Sequence, residues 1–392
     1  MLLNKNENIE IHRIDSEESF RELSEGTVWN IPKHEYENET IIVIKSPNKR
    51  RGLRIERALY FDENNNLFEL DKLIQSYTKS TQEKLKEIME DVSIKFLSNE
   101  IKNKTLDYNK IKDDSIVIIQ NPEEAYDINF LITVRGRREF AQPMFDSFKV
   151  AAEKSPLSIT YTIIEHSENP EHSKFCKKNK LNYIWIKSNP GELFNKCLSY
   201  NMGVFFGNKS KYVLFHDIDC LVQSDFFLKL FDNISHKQCR AIQCFTGRRV
   251  LYINEAFTPK VIAGEFSVDD LNIDMPEVDY PRLGGKIMIG APGGSILVER
   301  ELYFEVGGYD AELFLANSPE DAFFWEKIDT IDKMHVSDEP DIELYHMYHP
   351  PTWMNNPHVH EMQAINNKFK ALNVDNKKKI ILYKSEMIKE FK

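Results

Sequence analysis

The rhythm of apolar and polar positions changes along this chain at about residue 120. Before that point the sequence is rich in Glu, Lys and Asn, and only short runs read as strands, such as Thr40-Ile41-Ile42-Val43-Ile44. One longer pattern predicts a helix over residues 81–101. Leu85, Ile88, Met89, Val92 and Phe96 recur there on one stripe, with no Gly or Pro between them. Lys49-Arg50-Arg51 reads as a solvated turn. Asp113-Asp114, followed by Ser115-Ile116-Val117-Ile118-Ile119, fits either the last strand of this first region or a lead-in to the next. Nothing here has catalytic spacing, so residues 1–120 are assigned to an accessory α+β domain.

From about Asn129 strand and helix patterns alternate. Residues 130–134 (FLITV) form a short apolar run, and a helical pattern follows over 140–152. Strand patterns return at 158–165 and 181–186, a helix at 194–206, and a strand at 212–216. Strands alternating with helices predict an α/β fold, a mostly parallel sheet with helices on both faces. Residues 255–292 are irregular, with Pro259, Pro276, Pro281 and Gly284-Gly285, and a long loop of this kind is read as a lid or an acceptor wall. Gly293-Gly294 then turns into a strand over 295–298.

The strand at 212–216 runs into Asp217-Ile218-Asp219. Side chains alternate along a strand, so both carboxylates are expected on one side of its carboxyl end. Open α/β sheets hold ligands at that end. Two close carboxylates repel unless a cation sits near them, and oxygen ligands suit Mg²⁺ or Mn²⁺. Taken alone, the stretch equally fits a strand that runs out into an acidic turn.

Composition narrows the function classes. The 392 residues allow one large or two ordinary domains, and 41% hydrophobic with 29% charged residues is a soluble globular balance. A formal charge of −11 argues against a general nucleic-acid binder. No apolar run approaches the roughly 18 residues of a membrane span, and the amino terminus lacks the apolar core of a secretory signal. Five cysteines without a CxxC pair fit reduced thiols in a cytoplasm. The tail, residues 361–392, is set apart by sign: from Asn366 onward it carries eight lysines against three acids, interspersed with Ile380, Ile381, Met387, Ile388 and Phe391. It reads either as a packing helix with a wet lysine face or as a basic amphipathic contact with anionic lipid.

Four further features carry candidate chemistry. Arg135 and Arg137 follow the first strand, where basic groups can hold a diphosphate or simply face solvent. Gly293 and Gly294 would let a ligand approach the backbone, or make a tight turn. Ser318-Pro319-Glu320-Asp321 opens a helical pattern, which suits a helix cap but also places an acid as a general base. His346 and His349 lie three apart, as on one face of a helical turn, and can share a metal.

Taken in order, these segments give residues 130–355 a resemblance to nucleotide-sugar glycosyltransferases of the GT-A fold. They are similar to family-2-like bacterial enzymes of capsule and surface polysaccharide synthesis, and to the catalytic domain of β-1,4-galactosyltransferases. Thr133-Val134-Arg135-Gly136-Arg137 resembles the early Phe-Arg-x-Arg nucleotide segment. Phe194-Asn195-Lys196 with Asn201-Met202-Gly203 resembles Phe-Asn-Arg…Asn-x-Gly, and Asp217-Ile218-Asp219 resembles the Asp-x-Asp metal motif. Gly293-Gly294-Ser295 with Val306-Gly307-Gly308-Tyr309-Asp310 resembles Gly-Gly…Asn-Gly-Phe. Glu320-Asp321 resembles the acidic pair before the catalytic helix, and His346 with His349 resembles the Met-x-x-His metal segment.

The resemblance implies a catalytic domain over 121–360 with a Rossmann-like sheet. It implies that Asp219, His346 and His349 bind Mn²⁺ or Mg²⁺, and that Asp217 holds the ribose or the metal's waters. Arg135, Arg137 and Lys196 would contact nucleotide and diphosphate, Asp321 would act as the base, and Glu320 would hold a sugar. Three departures stand out: Lys196 where the galactosyltransferases have Arg, His346 in place of Met, and Asn317 in place of a Trp that packs on the sugars. Donor and acceptor identity therefore do not carry over. The expected activity is inverting, metal-dependent transfer from a UDP-sugar (a hexose or N-acetylhexosamine) to a glycan or lipid-linked glycan, in bacterial capsule or surface polysaccharide synthesis. The expected place is the cytoplasm, with peripheral contact at the inner membrane face through the tail. The competing readings are a metal-dependent phosphoesterase or nucleotidyltransferase, and a glycan-binding module on an inactive scaffold.

Overall fold

The computed structural model describes residues 93–272, 274–278, 287–316, 318–338, 341–350 and 356–392, with Glu90 and the backbone of five strands within the first 69 residues. Two compact units emerge. One comprises Met1–Glu100 with Ala371–Asn376, the other Ile101–Lys370 with Lys377–Lys392.

In the first unit β1 (Glu10–Ile14), β2 (Ile41–Ser46), β3 (Lys49–Arg54), β4 (Leu59–Phe61) and β5 (Leu67–Glu69) form an antiparallel sheet in chain order. Lys49-Arg50-Arg51 therefore open a strand rather than a turn, because Ser46 pairs with Lys49 in a tight hairpin that carries the ladder onward. Of the helix expected over 81–101, residues 93–101 are helical; apart from Glu90, also helical, the remainder lies outside the described residues.

The second unit is built on an eight-stranded sheet. Its strands are β6 (Ile116–Ile118), β7 (Tyr126–Val134), β8 (Ile159–Ser167), β9 (Asn182–Lys187) and β10 (Ser210–Asp217), then, after β11 (Cys220–Val222), β12 (Ala241–Gln243). After β13 (Arg249–Tyr252) and β14 (Ile287–Ile289) come β15 (Ser295–Glu299) and β16 (His335–Val336). The spatial order is β16-β12-β15-β10-β7-β8-β9-β6. The four central strands run parallel, β10 to β7 to β8 to β9. β15 is antiparallel to β10, and β6 to β9. The expected α/β class is what the chain forms. From Ile128 to Val134 every residue of β7 is buried, so the sheet is covered on both faces there, as its unbroken apolar run requires. Ten of the eleven residues of the helix Lys196–Phe206 are buried. Gly203 lets that helix lie close on the sheet, since a Cβ there would come within 3.0 Å of both Ile164 and Leu131 side chains.

β6 settles the alternative left open at residues 113–119. It pairs with β9, so residues 101–120 belong with the large unit, and the division falls at 100 rather than 120. The tail packs as a helix, as one of its two readings expected, but its lysine face is only partly wet. The helix Val374–Ile388 buries Ile380, Ile381 and Ile388. Two of its lysines turn inward, Lys377 to Glu326 at 2.7 Å and Lys384 to Glu312 at 2.7 Å. Lys378, Lys379, Leu382 and Tyr383 remain exposed. Among the described residues no helix is long and apolar enough to cross a membrane. The irregular stretch 255–292 contains a short helix, Thr258–Ile262, a turn of 3₁₀ helix, Val268–Asp270, and β14; residues 273 and 279–286 lie outside the described residues. All five cysteines are buried and unpaired.

A second, four-stranded sheet has the order β11-β17-β13-β14, where β17 is Leu344–His346. β11 starts one residue after Asp219, and its register sets Cys220 opposite His346. This short pairing brings residues 344–346 back to the end of β10.

Candidate active site

The paired aspartates do not share a direction. β10 ends at Asp217, and residues 218–219 turn before β11 begins, so the alternation expected of a strand stops between them. Asp217 faces Lys196, whose ammonium lies 3.1 Å from Oδ1. Asp219, 3% exposed, turns the other way and meets Arg137, His346 and His349.

Asp219, His346 and His349 each present a ligand atom, all within 4.8 Å of one another. His349 Nε2 lies 3.1 Å and His346 Nε2 3.6 Å from the Asp219 carboxylate. The histidines do not sit on a helical turn, as spacing alone suggested. β17 ends at His346, the chain then runs without regular structure, and the Met347 amide donates to the Asp219 carbonyl at 2.8 Å. Strand pairing and that bond bring the rings to 5.0 Å between centroids. Burial pushes the Asp219 carboxyl up, but His346, His349 and the Arg137 guanidinium outweigh it and hold the group well below the usual carboxylate range. Burial also lowers His346, against the pull of Asp219, so its imidazole is kept neutral as a metal ligand must be. Its buried Nδ1 has no hydrogen-bond partner among the described residues. Two imidazoles and one ionised carboxylate are a donor set that fits a divalent cation.

A second cluster lies around Lys196, which is 9% exposed. Its ammonium is 2.9 Å from Asp321 Oδ2, 3.1 Å from Asp217 and 3.4 Å from Glu320. Burial works against that charge, yet Asp217, Asp321 and Glu320 together raise its pKa well above the ordinary value. The resemblance implies a nucleotide contact for Lys196; its nearest groups in the fold are these three carboxylates. Its position follows from its helix: the Asn195 side chain caps the Leu198 amide at 2.8 Å, and the Asn195 amide donates to His166 Nδ1 at 3.0 Å. Burial drops His166 to about 4, which keeps it a neutral acceptor. No spacing in the sequence pointed to His166.

Glu320 and Asp321 open the helix Glu320–Ile331. Ser318 does not cap it; the Ser318 hydroxyl and amide both donate to Glu320, at 3.0 and 3.1 Å. Burial, then the Asp321 charge, push the Glu320 carboxyl up to about 7. Asp321 accepts from the Tyr309 hydroxyl at 3.0 Å through Oδ1, and from Lys196 through Oδ2. Gly293 is the third wall of that carboxylate. A Cβ there would lie 2.0 Å from Asp321 Oδ2, so the room left by this glycine is taken up by Asp321 rather than by a ligand. Gly294 adopts φ +94°, a turn conformation, and its carbonyl accepts from the Asp217 amide at 3.1 Å. Arg135 is tied to the Glu192 carbonyl and, at 3.0 Å, to Ser188 Oγ, at the carboxyl end of the neighbouring strands. Arg137, at φ +54° after Gly136, is aimed by that turn at Asp219 and, at 3.4 Å, His349 Nδ1.

Residues 159–349 match the family described as glycosyltransferase like family 2. That stretch holds both clusters except for Arg135 and Arg137. No curated protein matches the sequence. Among solved structures, the catalytic domain of Drosophila β1,4-galactosyltransferase 7, in complex with xylobiose, is similar over 54% of this chain and 65% of its own, with 15% identity and a TM-score of 0.33. A mutant of the Drosophila enzyme, in complex with manganese, UDP-Gal and xylobiose, is similar over 58% and 73%, with 14% identity and a TM-score of 0.35. Residues 1–349 of S. aureus TarS in complex with UDP-GlcNAc are similar over 68% and 71%, with 11% identity and a TM-score of 0.42. This chain thus spans slightly less than two thirds of the first of these structures.

Proposed function

We propose, from a chain that carries a glycosyltransferase family 2-like domain over residues 159–349, that this site moves a sugar from a UDP-sugar to an acceptor hydroxyl with inversion. The observation that carries the reading is the Lys196 bridge. It joins Asp217, two residues before Asp219 of the Asp219–His346–His349 cluster, to Asp321, which supports a candidate metal site and a candidate base acting together.

Asp219, His346 and His349 would hold Mn²⁺ or Mg²⁺. When bound, the cation neutralises charge on the departing diphosphate. Arg137, beside the same carboxylate, and Arg135, at the strand ends, supply fixed positive charge for the nucleotide diphosphate. Asp321 takes the proton of the acceptor hydroxyl as that oxygen bonds to the anomeric carbon. The bond from that carbon to the diphosphate oxygen breaks in the same displacement, and its electron pair leaves with UDP. One displacement inverts the anomeric centre. Lys196 balances Asp217 and Asp321, whose half-buried charges would otherwise lack a compensating cation there. Glu320, about half protonated at pH 7, holds a sugar hydroxyl or shares its proton within the cluster.

In the same proposal the donor sugar is a hexose or N-acetylhexosamine, and the acceptor a glycan or lipid-linked glycan of bacterial capsule or surface polysaccharide. The protein acts in the cytoplasm, and the exposed Lys378, Lys379, Leu382 and Tyr383 face supports contact with the inner membrane surface. The test is a panel of UDP-sugars with Mn²⁺ and with chelator. Metal-dependent release of UDP is expected. Release of nucleoside monophosphate or sugar phosphate would instead mark a phosphoesterase, and saccharide binding without turnover a binding module.

A further inference from the structure

We propose that Tyr309 is a positioning residue for the transfer, acting through Asp321. The inference rests on Asp321 being the base, and adds a residue whose hydroxyl has no counterpart in the Asn-Gly-Phe segment that this part of the sequence resembles. Tyr309 is 1% exposed, and its hydroxyl donates to Asp321 Oδ1 at 3.0 Å. Lys196 occupies the other oxygen at 2.9 Å. The two donors and the bare face of Gly293 fix the carboxylate plane from three sides. Each carboxylate oxygen carries two lone pairs, so one on each oxygen remains free for an acceptor hydroxyl, in a direction set by the donors. A base is effective only when held in that way before the substrate arrives.

Tyr309 is itself over-determined. Its ring stacks on Phe324 with centroids 4.1 Å apart and planes 18° from parallel. Its amide donates to Asn201 Oδ1 at 3.1 Å, and its carbonyl accepts from Asn201 Nδ2 at 2.9 Å. Gly307 and Gly308, at φ +76° and +62°, make the turn that delivers it. Gly307 leaves no room for a side chain, since its Cβ would lie 2.5 Å from Lys384 Cβ. Burial, then the Asp321 charge, raise the phenol well above its ordinary pKa, so the hydroxyl stays protonated and serves only as a donor. Tyr309 therefore neither takes nor gives the proton of the reaction; it aims the group that does.

Tyr309→Phe removes the hydroxyl and keeps the stacked ring, so the fold is retained. A lost hydrogen bond to an ionised group predicts a fall in kcat of about ten- to a hundredfold. KM for the UDP-sugar and the affinity for UDP with Mn²⁺ should stay within about twofold of the parent. In an Asp321→Asn background the same change should alter the residual kcat less than about twofold, because the two residues act as one unit. An unchanged kcat, an effect confined to KM or UDP affinity, or full additivity with Asp321→Asn would overturn the inference. Should the parent protein release no UDP from any donor, the proposed function fails instead. The positioning claim is then read from a crystal structure of Tyr309→Phe, in which the Asp321 carboxylate is expected to rotate; an unmoved carboxylate would overturn it.

Discussion

In the proposed transfer Asp321 is the residue on which the chemistry turns, and its neighbours say how it would be used. Both oxygens already accept a hydrogen bond, and a third side is closed by Gly293. Asp321→Asn should lower kcat by about 10²–10⁴-fold, the span of a lost general base, while UDP binding measured by calorimetry is retained. Gly293→Ala should be nearly as damaging, because the new methyl group falls on the carboxylate; a variant with parental kcat would show that Asp321 tolerates displacement. Glu320 gives a pH prediction with a definite sign. Its carboxyl rises on folding from 4.5 to about 7, so the native state binds more protons than the unfolded state across that window. Stability from this group is present at low pH and is lost as pH climbs from about 4.5 through 7. Denaturation midpoints of the parent should therefore fall relative to Glu320→Gln over that range, and parallel curves would refute the buried acid. The identities of these acids were legible in the sequence. Their partners were not, because Lys196, Tyr309 and Gly293 meet Asp321 across 125, 12 and 28 positions that carry no periodic signal.

At the scale of elements, the alternation from 126 to 217 was readable because each of its three long strands holds a short apolar run that is buried. What pattern alone misjudged was where regular structure stops. β10 ends at Asp217 rather than continuing to Asp219, which parts the two carboxylates, and β17 replaces a helical turn at His346. In both places the short β11–β17 pairing, a contact between distant segments, decides the outcome. The C-terminal helix is another such case. Its lysine-rich composition suggested a wet face, yet Lys384 is fully buried against Glu312. Lys384→Met alone should cost about 3–5 kcal/mol by leaving Glu312 buried and unpaired. Adding Glu312→Leu should recover most of it, because an apolar pair carries no desolvation cost there. Thermal unfolding of the single and double variants measures this, and a double variant no more stable than the single would show that the pair is not the source.

For the whole molecule, the switch from a polar first region to an α/β pattern was legible, but its position was set by β6, whose strand joins the central sheet from outside the expected boundary. Membrane contact belongs to this scale as well. Since Lys377 is engaged by Glu326, the variant to test is Lys378→Glu. Loss of co-sedimentation with anionic vesicles would support the contact, and unchanged recovery would remove it. The central claim, metal-dependent sugar transfer, is tested most directly by identifying the nucleotide product. With a UDP-sugar, Mn²⁺ and acceptor, the parent protein should yield UDP, abolished by chelator and by Asp219→Asn, and reduced about 10²–10⁴-fold in Asp321→Asn with Mn²⁺-dependent UDP binding intact. UMP as the product, or UDP formed at the same rate by parent and Asp321→Asn, would contradict the account.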